Sequence, residues 1–374
     1  MKQRTFNILL TVLFCLFIGG MFLGSLILPD RDFSQLENRK LAQTPALSLE
    51  NITTGKFMED AEDYVNDQIL GRDFWVALKA LSERVSGKQE NNGVYFAKED
   101  TLISRVDTPS QSDLEENAGY VNALVNNVDV PVYFGIIPSA AEIWSYRLPE
   151  GAPTADEKAI IDRLYNEVQT HVIDLYSVLN AHKDEELYYR TDHHWTSLGA
   201  YYGYTALMDA MGLEAVPLDE SQKVTVSEDF YGTLFSSSGV RWLPPDHIDR
   251  YISDEGVTVT AYPNGTPEPG SLYVDSYLEV KDKYSSFLGG NKPLCVIETE
   301  HTDAPKVLVI RDSYADSLAP FLTQNFSEIH LFDPRYNLTS VKDYVTQNEI
   351  DSVVVLYSIS NFTAKDNQMF VLGR

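Results

Sequence analysis

Two short segments carry residue types able to activate a hydroxyl group. Tyr-Arg-Thr-Asp-His-His-Trp-Thr at 189–196 places Asp192 two positions before His194, and Val-Leu-Val-Ile-Arg-Asp-Ser-Tyr at 307–314 places Ser313 just after an apolar run. Together they offer a nucleophile, a base and a group to orient the base, the three parts a weakly nucleophilic hydroxyl needs to attack an acyl group near neutral pH. An Asp-x-His pair on a turn lets the carboxylate accept from one imidazole nitrogen while the other nitrogen faces the nucleophile. On a helix, i, i+2 spacing would point the two side chains apart. The motif is therefore expected in a loop, just before a helix starting near Thr196 or Ser197. The plainer reading is that Asp192 or Thr191 caps local backbone and the histidines pack structurally. Ser313 also has a plainer reading, as a cap at a strand end. Its turn into Tyr314-Ala-Asp-Ser-Leu-Ala-Pro-Phe-Leu nevertheless suits a nucleophile, because a helix N-terminus brings N–H donors toward a developing oxyanion. Ser317, one helical turn further on, is the nearest rival. His193 beside His194 raises the question of a metal, but no His-Glu-x-x-His or nearby His/Cys cluster accompanies them, and the other five histidines are scattered. No metal or organic cofactor is expected.

These residues need a frame. Apolar runs at 130–138, 171–176, 306–310, 328–332 and 352–357 alternate with helical stretches near 112–127, 155–169 and 197–211. Such alternation indicates a parallel sheet with helices on both faces. Reacting groups then gather beyond the carboxyl ends of the strands, where Ser313 follows Ile310 and Ser139 follows Ile137. Between about 216 and 303 the pattern changes to short strands among Gly and Pro turns: Val224-Thr-Val, Val257-Thr-Val-Thr and Leu272-Tyr-Val. This stretch reads as an irregular β-rich insertion. Residues 54–87 have helical periodicity broken at Gly71, and Asn92-Gly93 marks a short hairpin. The expected organisation is a membrane segment at 1–29, an extended tether and small helical lead-in at 30–105, and the main domain at 106–374.

From Thr5 to Pro29 there is no charged residue, and Phe6–Leu28 is long enough to cross a bilayer as one helix. Lys2 and Arg4 precede it, and no small-x-small cleavage site follows closely, so a retained anchor is favoured over a cleaved signal peptide. An N-terminus-inside layout would put nearly the whole chain outside the cytoplasm. The net charge of −26 argues against nucleic acid as a partner, since a phosphate backbone would be repelled at long range. It also leaves hydrophobic insertion as the means of holding a membrane. Only Cys15 and Cys295 are present, which gives no soluble disulfide and suggests no zinc site or thiol chemistry.

The block from Tyr188 through Asp192-His193-His194-Trp195 to Tyr202 resembles the signature of the DHHW protein family of bacteria. That family is similar to the SGNH-hydrolase-like acetyltransferases of alginate O-acetylation. The resemblance covers about 30–374, including Glu37-Asn-Arg-Lys-Leu-Ala, Phe230-Tyr-Gly-Thr-Leu, Arg311-Asp-Ser-Tyr and Asp333-Pro-Arg-Tyr. It implies an α/β, three-layer SGNH-like fold with a parallel sheet, the β-rich insertion and an N-terminal transmembrane helix. In the acetyltransferase relatives an Asp-x-His-Trp segment precedes a Gly-x-Ser segment, which implies His194 rather than His193 as base, with Asp192 and Ser313 beside it. Arg311 departs from the small residue usual two positions before the serine.

The expected activity is an extracytoplasmic O-acetyltransferase acting on a cell-surface or secreted polysaccharide through an acetyl-serine. Its partners would be the polysaccharide acceptor and, as the resemblance implies, a membrane-embedded acyltransferase that donates the acyl group. Ser313 N–H and Asn361 are candidate oxyanion donors. Trp195 is a candidate pocket wall, and Arg190, Arg335 and Tyr336 are candidate substrate contacts. An esterase using the same residues and a non-catalytic glycan-binding envelope protein are the alternatives.

Overall fold

The computed structural model describes residues 3–365 and 367–374. The apolar runs become strands of one eight-stranded sheet. In chain order these are β1 (Val132–Ile137), β2 (His171–Val172), β3 (Thr258–Ala261), β4 (Glu268–Pro269), β5 (Leu294–Glu298), β6 (Lys306–Arg311), β7 (Glu328–Phe332) and β8 (Ser352–Ser358). Their order across the sheet is β4-β3-β5-β7-β6-β8-β1-β2. The five strands from β7 to β2 run parallel. Every residue of β8 is buried, and burial of both alternating faces requires cover on both sides of the sheet. The fold is α/β, as expected.

The stretch read as an irregular β-rich insertion contributes strands to the main sheet. Its strands β3, β4 and β5 join the main sheet as an antiparallel extension, with β5 pairing β7. A second piece, Val224–Phe230 against Asp246–Arg250, forms its own two-stranded ribbon. Leu272-Tyr-Val does not form a strand. The Ser271 hydroxyl donates to the Tyr273 carbonyl at 2.7 Å, a local bond that competes with a ladder, and Tyr273 keeps one bridge to Phe287. The run at 171–176 also shortens to the two residues of β2. Asp174 accepts from the Ser177 N–H at 3.0 Å and starts a helix, Leu175–Ala181.

The chain divides into two compact units, 1–88 with 236–242, and 89–235 with 243–374. The hairpin strands Val94–Phe96 and Leu102–Ser104 belong to the larger unit. In the smaller unit, helix α1 (Gln3–Ile27) has no buried residue and is long and apolar enough to cross a membrane. The stretch read as an extended tether is cross-linked instead. Arg39 forks onto Asp67 at 2.8 and 2.5 Å, Arg72 forks onto Glu37 at 2.6 and 2.9 Å, and Asp67 accepts from the Ala42 N–H at 2.8 Å. Glu37 and Arg39 of the Glu37–Ala42 segment thus serve an ion-pair network.

In the larger unit, two helices frame the carboxyl ends of the central strands: α2 (Ser197–Met211), entered through its N-cap Thr196, and α3 (Ala315–Leu322), which follows Ser313 and is buried at every residue.

Candidate active site

The Asp-His-His segment sits at the tip of a tight loop. Tyr188 and Trp195 form an antiparallel bridge, and the Tyr189 N–H donates to the His194 carbonyl at 3.2 Å. Asp246, from the insertion ribbon, holds the loop from outside. Its carboxylate accepts from the Arg190 N–H (3.0 Å), the Thr191 N–H (2.8 Å) and the Thr191 hydroxyl (2.6 Å). Ser313 arrives separately, two residues past the end of β6 and just before α3.

These two pieces of chain meet. His194 Nδ1 lies 2.6 Å from Asp192 Oδ1, and His194 Nε2 lies 2.7 Å from Ser313 Oγ. Asp192 and His194 are buried; Ser313 is partly open. An ionised carboxylate can only accept, so Nδ1 carries the proton. Nε2 is then left with a lone pair aimed at the Ser313 hydroxyl. Burial by itself would raise the Asp192 pKa, but the adjacent imidazoles of His193 and His194, the His194 bond and the Thr233 N–H together hold it far below the usual carboxylate range. Asp192 Oδ2 takes two bonds from Thr233, 2.7 Å from its N–H and 2.9 Å from its hydroxyl.

His193 stands beside this relay. Its Nδ1 lies 2.7 Å from the Thr233 hydroxyl, and its carbonyl accepts from the Tyr314 hydroxyl. Among the described residues, the one group of His, Cys, Asp and Glu side chains close enough to hold an ion is Asp192, His193 and His194, with ligand atoms within 4.8 Å of one another. The short bonds of His194 and Asp192 would have to break to admit one. Ser317, the rival nucleophile, is buried and bonded to Trp195 Nε1 and to Tyr284 OH, each at 3.0 Å.

Three residues to which the sequence assigned no role complete the site. Tyr284 lies flat on the His194 ring, with centroids 3.8 Å apart and planes 9° apart, and its hydroxyl donates to the Ser313 carbonyl at 2.9 Å. Burial holds its phenol well above the ordinary value, so it keeps its proton and stays a donor. Tyr284 thus grips base and nucleophile at once. Tyr284→Leu removes both contacts, and kcat/KM for acyl turnover should fall roughly tenfold or more. Tyr284→Phe keeps the stack and should lose less. Steady-state kinetics on the pair separates the ring from the hydroxyl.

Asp312, fully buried, accepts from the Tyr314 N–H (3.0 Å), the Ser358 N–H (2.9 Å), the Ser358 hydroxyl (2.6 Å) and Asn361 Nδ2 (2.8 Å). It ties the turn after β6 to the end of β8.

Gly232 is the third. A Cβ there would lie 2.2 Å from the Cβ of Asp192 and 2.3 Å from its Oδ2. Gly232→Ala must therefore push the carboxylate off His194, and a displacement of about 1 Å is enough to cost roughly 10²-fold in rate. Turnover measured beside the unfolding midpoint would show loss of both.

The other expected site residues are placed as follows. Asn361, on the short helix Ile359–Phe362, borders a small cleft of about 140 Å³ together with Asp192, His193 and Tyr314. Among the described residues, nothing accepts a hydrogen bond from the Ser313 N–H. Trp195 does not wall a pocket. It is fully buried, donates to the Tyr314 carbonyl at 2.9 Å, and packs so tightly on Gly203 of α2 that a Cβ there would come within 2.6 Å. Arg190 is a brace, with its guanidinium on Asp246 (3.3 Å) and the Pro245 carbonyl (2.7 Å). Arg335 is likewise committed, forked onto Asp333 at 2.9 and 2.7 Å. Tyr336 is exposed. Arg311 turns away from Ser313 into the interior, fully buried, with its guanidinium 2.9 Å from Asp316 on the first turn of α3. The large residue at this departure from the family pattern therefore occupies space behind the strand, not space beside the nucleophile.

A family model described as DHHW protein matches residues 108–332. A DHHW family protein from Eubacterium siraeum has a similar crystal structure, with TM-score 0.66 and 27% identity over 75% of this chain and 95% of that one. Bacillus cereus PatB1, solved with a sulfonyl adduct, is similar in fold at TM-score 0.62 and 20% identity, covering 74% of this chain and 98% of its own. The O-acetyltransferase domain of Pseudomonas putida AlgJ is more distant, at TM-score 0.47 and 15% identity over 73% and 93%. Among curated proteins nothing matches.

Proposed function

Because this chain belongs to the DHHW protein family and brings Asp192, His194 and Ser313 together, we propose that it is an O-acetyltransferase acting outside the cytoplasm on a cell-surface or secreted polysaccharide. The observation that carries the reading is the unbroken chain of 2.6 and 2.7 Å contacts from Asp192 through His194 to Ser313. In the first half-reaction Ser313 Oγ attacks the acetyl carbonyl carbon of the donor while its proton passes to His194 Nε2. The negative charge on the tetrahedral oxygen is met by the Ser313 N–H, and Asn361 Nδ2 is the second donor we assign. The donor's leaving oxygen then departs with the proton from His194, leaving acetyl-serine. In the second half, His194 takes the proton of a sugar hydroxyl as that oxygen attacks the acetyl-serine. Collapse returns the proton to Ser313 and releases the O-acetyl sugar. Asp192 holds the tautomer throughout and stabilises the imidazolium. Asp312 acts indirectly, as a positioning residue for Asn361.

Helix α1 would anchor the chain with its N-terminus inside and the larger unit outside. There a membrane-embedded acyltransferase would supply the acetyl group, since free acyl thioesters are cytoplasmic. Two measurements on the purified chain test the reading. A sulfonyl fluoride should label Ser313, as seen by peptide mass spectrometry. With an acetyl ester as donor and an oligosaccharide as acceptor, acetylated sugar should appear. Ester cleavage with no acetylated sugar would make the chain an esterase. Neither activity, with glycan binding retained, would make it a binding protein.

A further inference from the structure

We propose that a groove on the same rim of the sheet as Ser313, between Tyr262 and Tyr336, is a distal subsite that binds an uncharged oligosaccharide chain. The proposal rests on the reading of the chain as a polysaccharide-modifying enzyme, and it names where the acceptor runs beyond the reacting sugar. The groove has a volume of about 770 Å³. Its place follows from strand register. Phe332, the last residue of β7, pairs with Ile310 of β6 on one side and with Leu294 of β5 on the other, and Ala261 at the end of β3 pairs with Cys295. The rim continues past the strand ends, with the Asp333 N–H donating to the Pro293 carbonyl at 3.1 Å and the Tyr262 N–H to the Leu294 carbonyl at 2.9 Å. Tyr336 therefore leaves the strand next to the one that presents Ser313, and Tyr262 leaves the strand three steps away. At about 4.8 Å per strand, the groove runs from roughly 5 to 15 Å to one side of Ser313, a reach of a few sugar units.

The chemistry of the lining fits a sugar chain. Tyr336 is 57% exposed, yet its backbone is fixed. Its N–H and that of Asn337 both donate to the Asp333 carbonyl, at 3.1 and 2.9 Å, while the buried Asp333 carboxylate is locked by the Arg335 fork. A rigid turn that holds a large aromatic ring out to solvent is a stacking platform, not core packing. Tyr262 and Tyr344 supply further rings, and Asn264, Asn337 and Gln347 supply amides for hydroxyl groups. A few placed polar groups among aromatic walls make a small-ligand site. Among the described residues the lining holds the Asp343 carboxylate and no Lys or Arg, on a chain of net charge −26. The Arg335 guanidinium, 5.6 Å from the Tyr336 ring, is committed to Asp333. A polyuronate would be repelled, whereas an uncharged glycan is accommodated.

The test is binding to the full chain in detergent micelles, carried as Ser313→Ala so that no turnover intervenes. Chitopentaose and an oligomannuronate pentamer are titrated by calorimetry. The uncharged pentamer should bind and the uronate should not. Tyr336→Ala and Tyr262→Ala should each weaken chitopentaose at least tenfold with the unfolding midpoint preserved, and Tyr336→Trp, which keeps a ring, should restore it. Absence of binding, equal affinity in the alanine variants, or preference for the uronate overturns the subsite. Ester turnover dependent on Ser313 is measured separately on the wild-type chain, so failure of the acyl-transfer reading is seen apart from failure of the groove.

Discussion

Ser313→Ala is expected to lower kcat/KM for acetyl-ester turnover by roughly 10⁴-fold or more and to abolish sulfonyl labelling, while leaving the unfolding midpoint in place. The size follows from what remains. Without Oγ there is no acyl-enzyme, and His194 can only steer water. The Ser313 N–H and Asn361 would still polarise a carbonyl, so some rate above background should persist. The fold should not suffer, because the hydroxyl is partly open and its one side-chain partner is His194 Nε2 at 2.7 Å. Ser317→Ala is the control. That hydroxyl is buried between Trp195 and Tyr284, so its loss should cost stability and leave Ser313 labelled. Equal turnover by wild type and Ser313→Ala, or a sulfonyl group found on Ser317, would remove the serine mechanism. Tracking label and rate together in one set of variants decides it.

The parts legible in the sequence are those whose signal is local. The Asp-x-His spacing, the apolar run before Ser313 and the Thr196 start of α2 are each signals contained within a few consecutive residues, and such stretches read well. The strands from β6 onward were legible because short, mostly apolar runs, at 307–310, 329–332 and 353–357, mean strands buried on both faces. What was not legible needed partners far along the chain. Tyr284 is one of 22 tyrosines, on a short turn in the insertion, and nothing near it announces that its ring lies on His194. The alternating Val257-Thr-Val-Thr run announces a strand but not its neighbour, so the joining of β3 to the main sheet through β5 could not be read. Trp195 misled for the opposite reason. Its position beside the base suggested a pocket, yet the indole goes into the core, held by the Tyr314 carbonyl and packed against Gly203. Arg190 and Arg335 misled because a sequence shows charge without showing its nearest counter-charge, here Asp246 and Asp333. The segment Phe230-Tyr-Gly-Thr-Leu was visible only as a family resemblance. The structure supplies its physical reason, which is that Gly232 makes room for Asp192 and Thr233 donates to it.

Asp192→Asn is expected to cost roughly 10⁴-fold in kcat/KM, about 5.5 kcal/mol of transition-state stabilisation, although the substitution is nearly isosteric. The loss follows from counting donors. Asp192 Oδ2 accepts from the Thr233 N–H and hydroxyl, and Oδ1 accepts from both the backbone N–H and Nδ1–H of His194. All four partners present hydrogen, and an amide has only one oxygen to offer them. If the asparagine oxygen faces Thr233, its NH₂ faces His194, and Nδ1 must give up its proton to accept. The proton then sits on Nε2, where it points at Ser313 and blocks base action. If the amide flips, its NH₂ meets the Thr233 N–H and the loop is pushed apart. Either orientation breaks the relay or its support. The same carboxylate makes a prediction for acid. Its pKa is lowered in the folded chain, so the stability it contributes is complete above the unfolded carboxylate value of about 3.9 and drains away as pH falls below it. Thermal unfolding followed from pH 7 to pH 3 should therefore show a steeper acid decline in wild type than in Asp192→Asn. A variant that kept wild-type turnover would mean that His194 is oriented by something other than Asp192, and the 2.6 Å contact would lose its catalytic meaning.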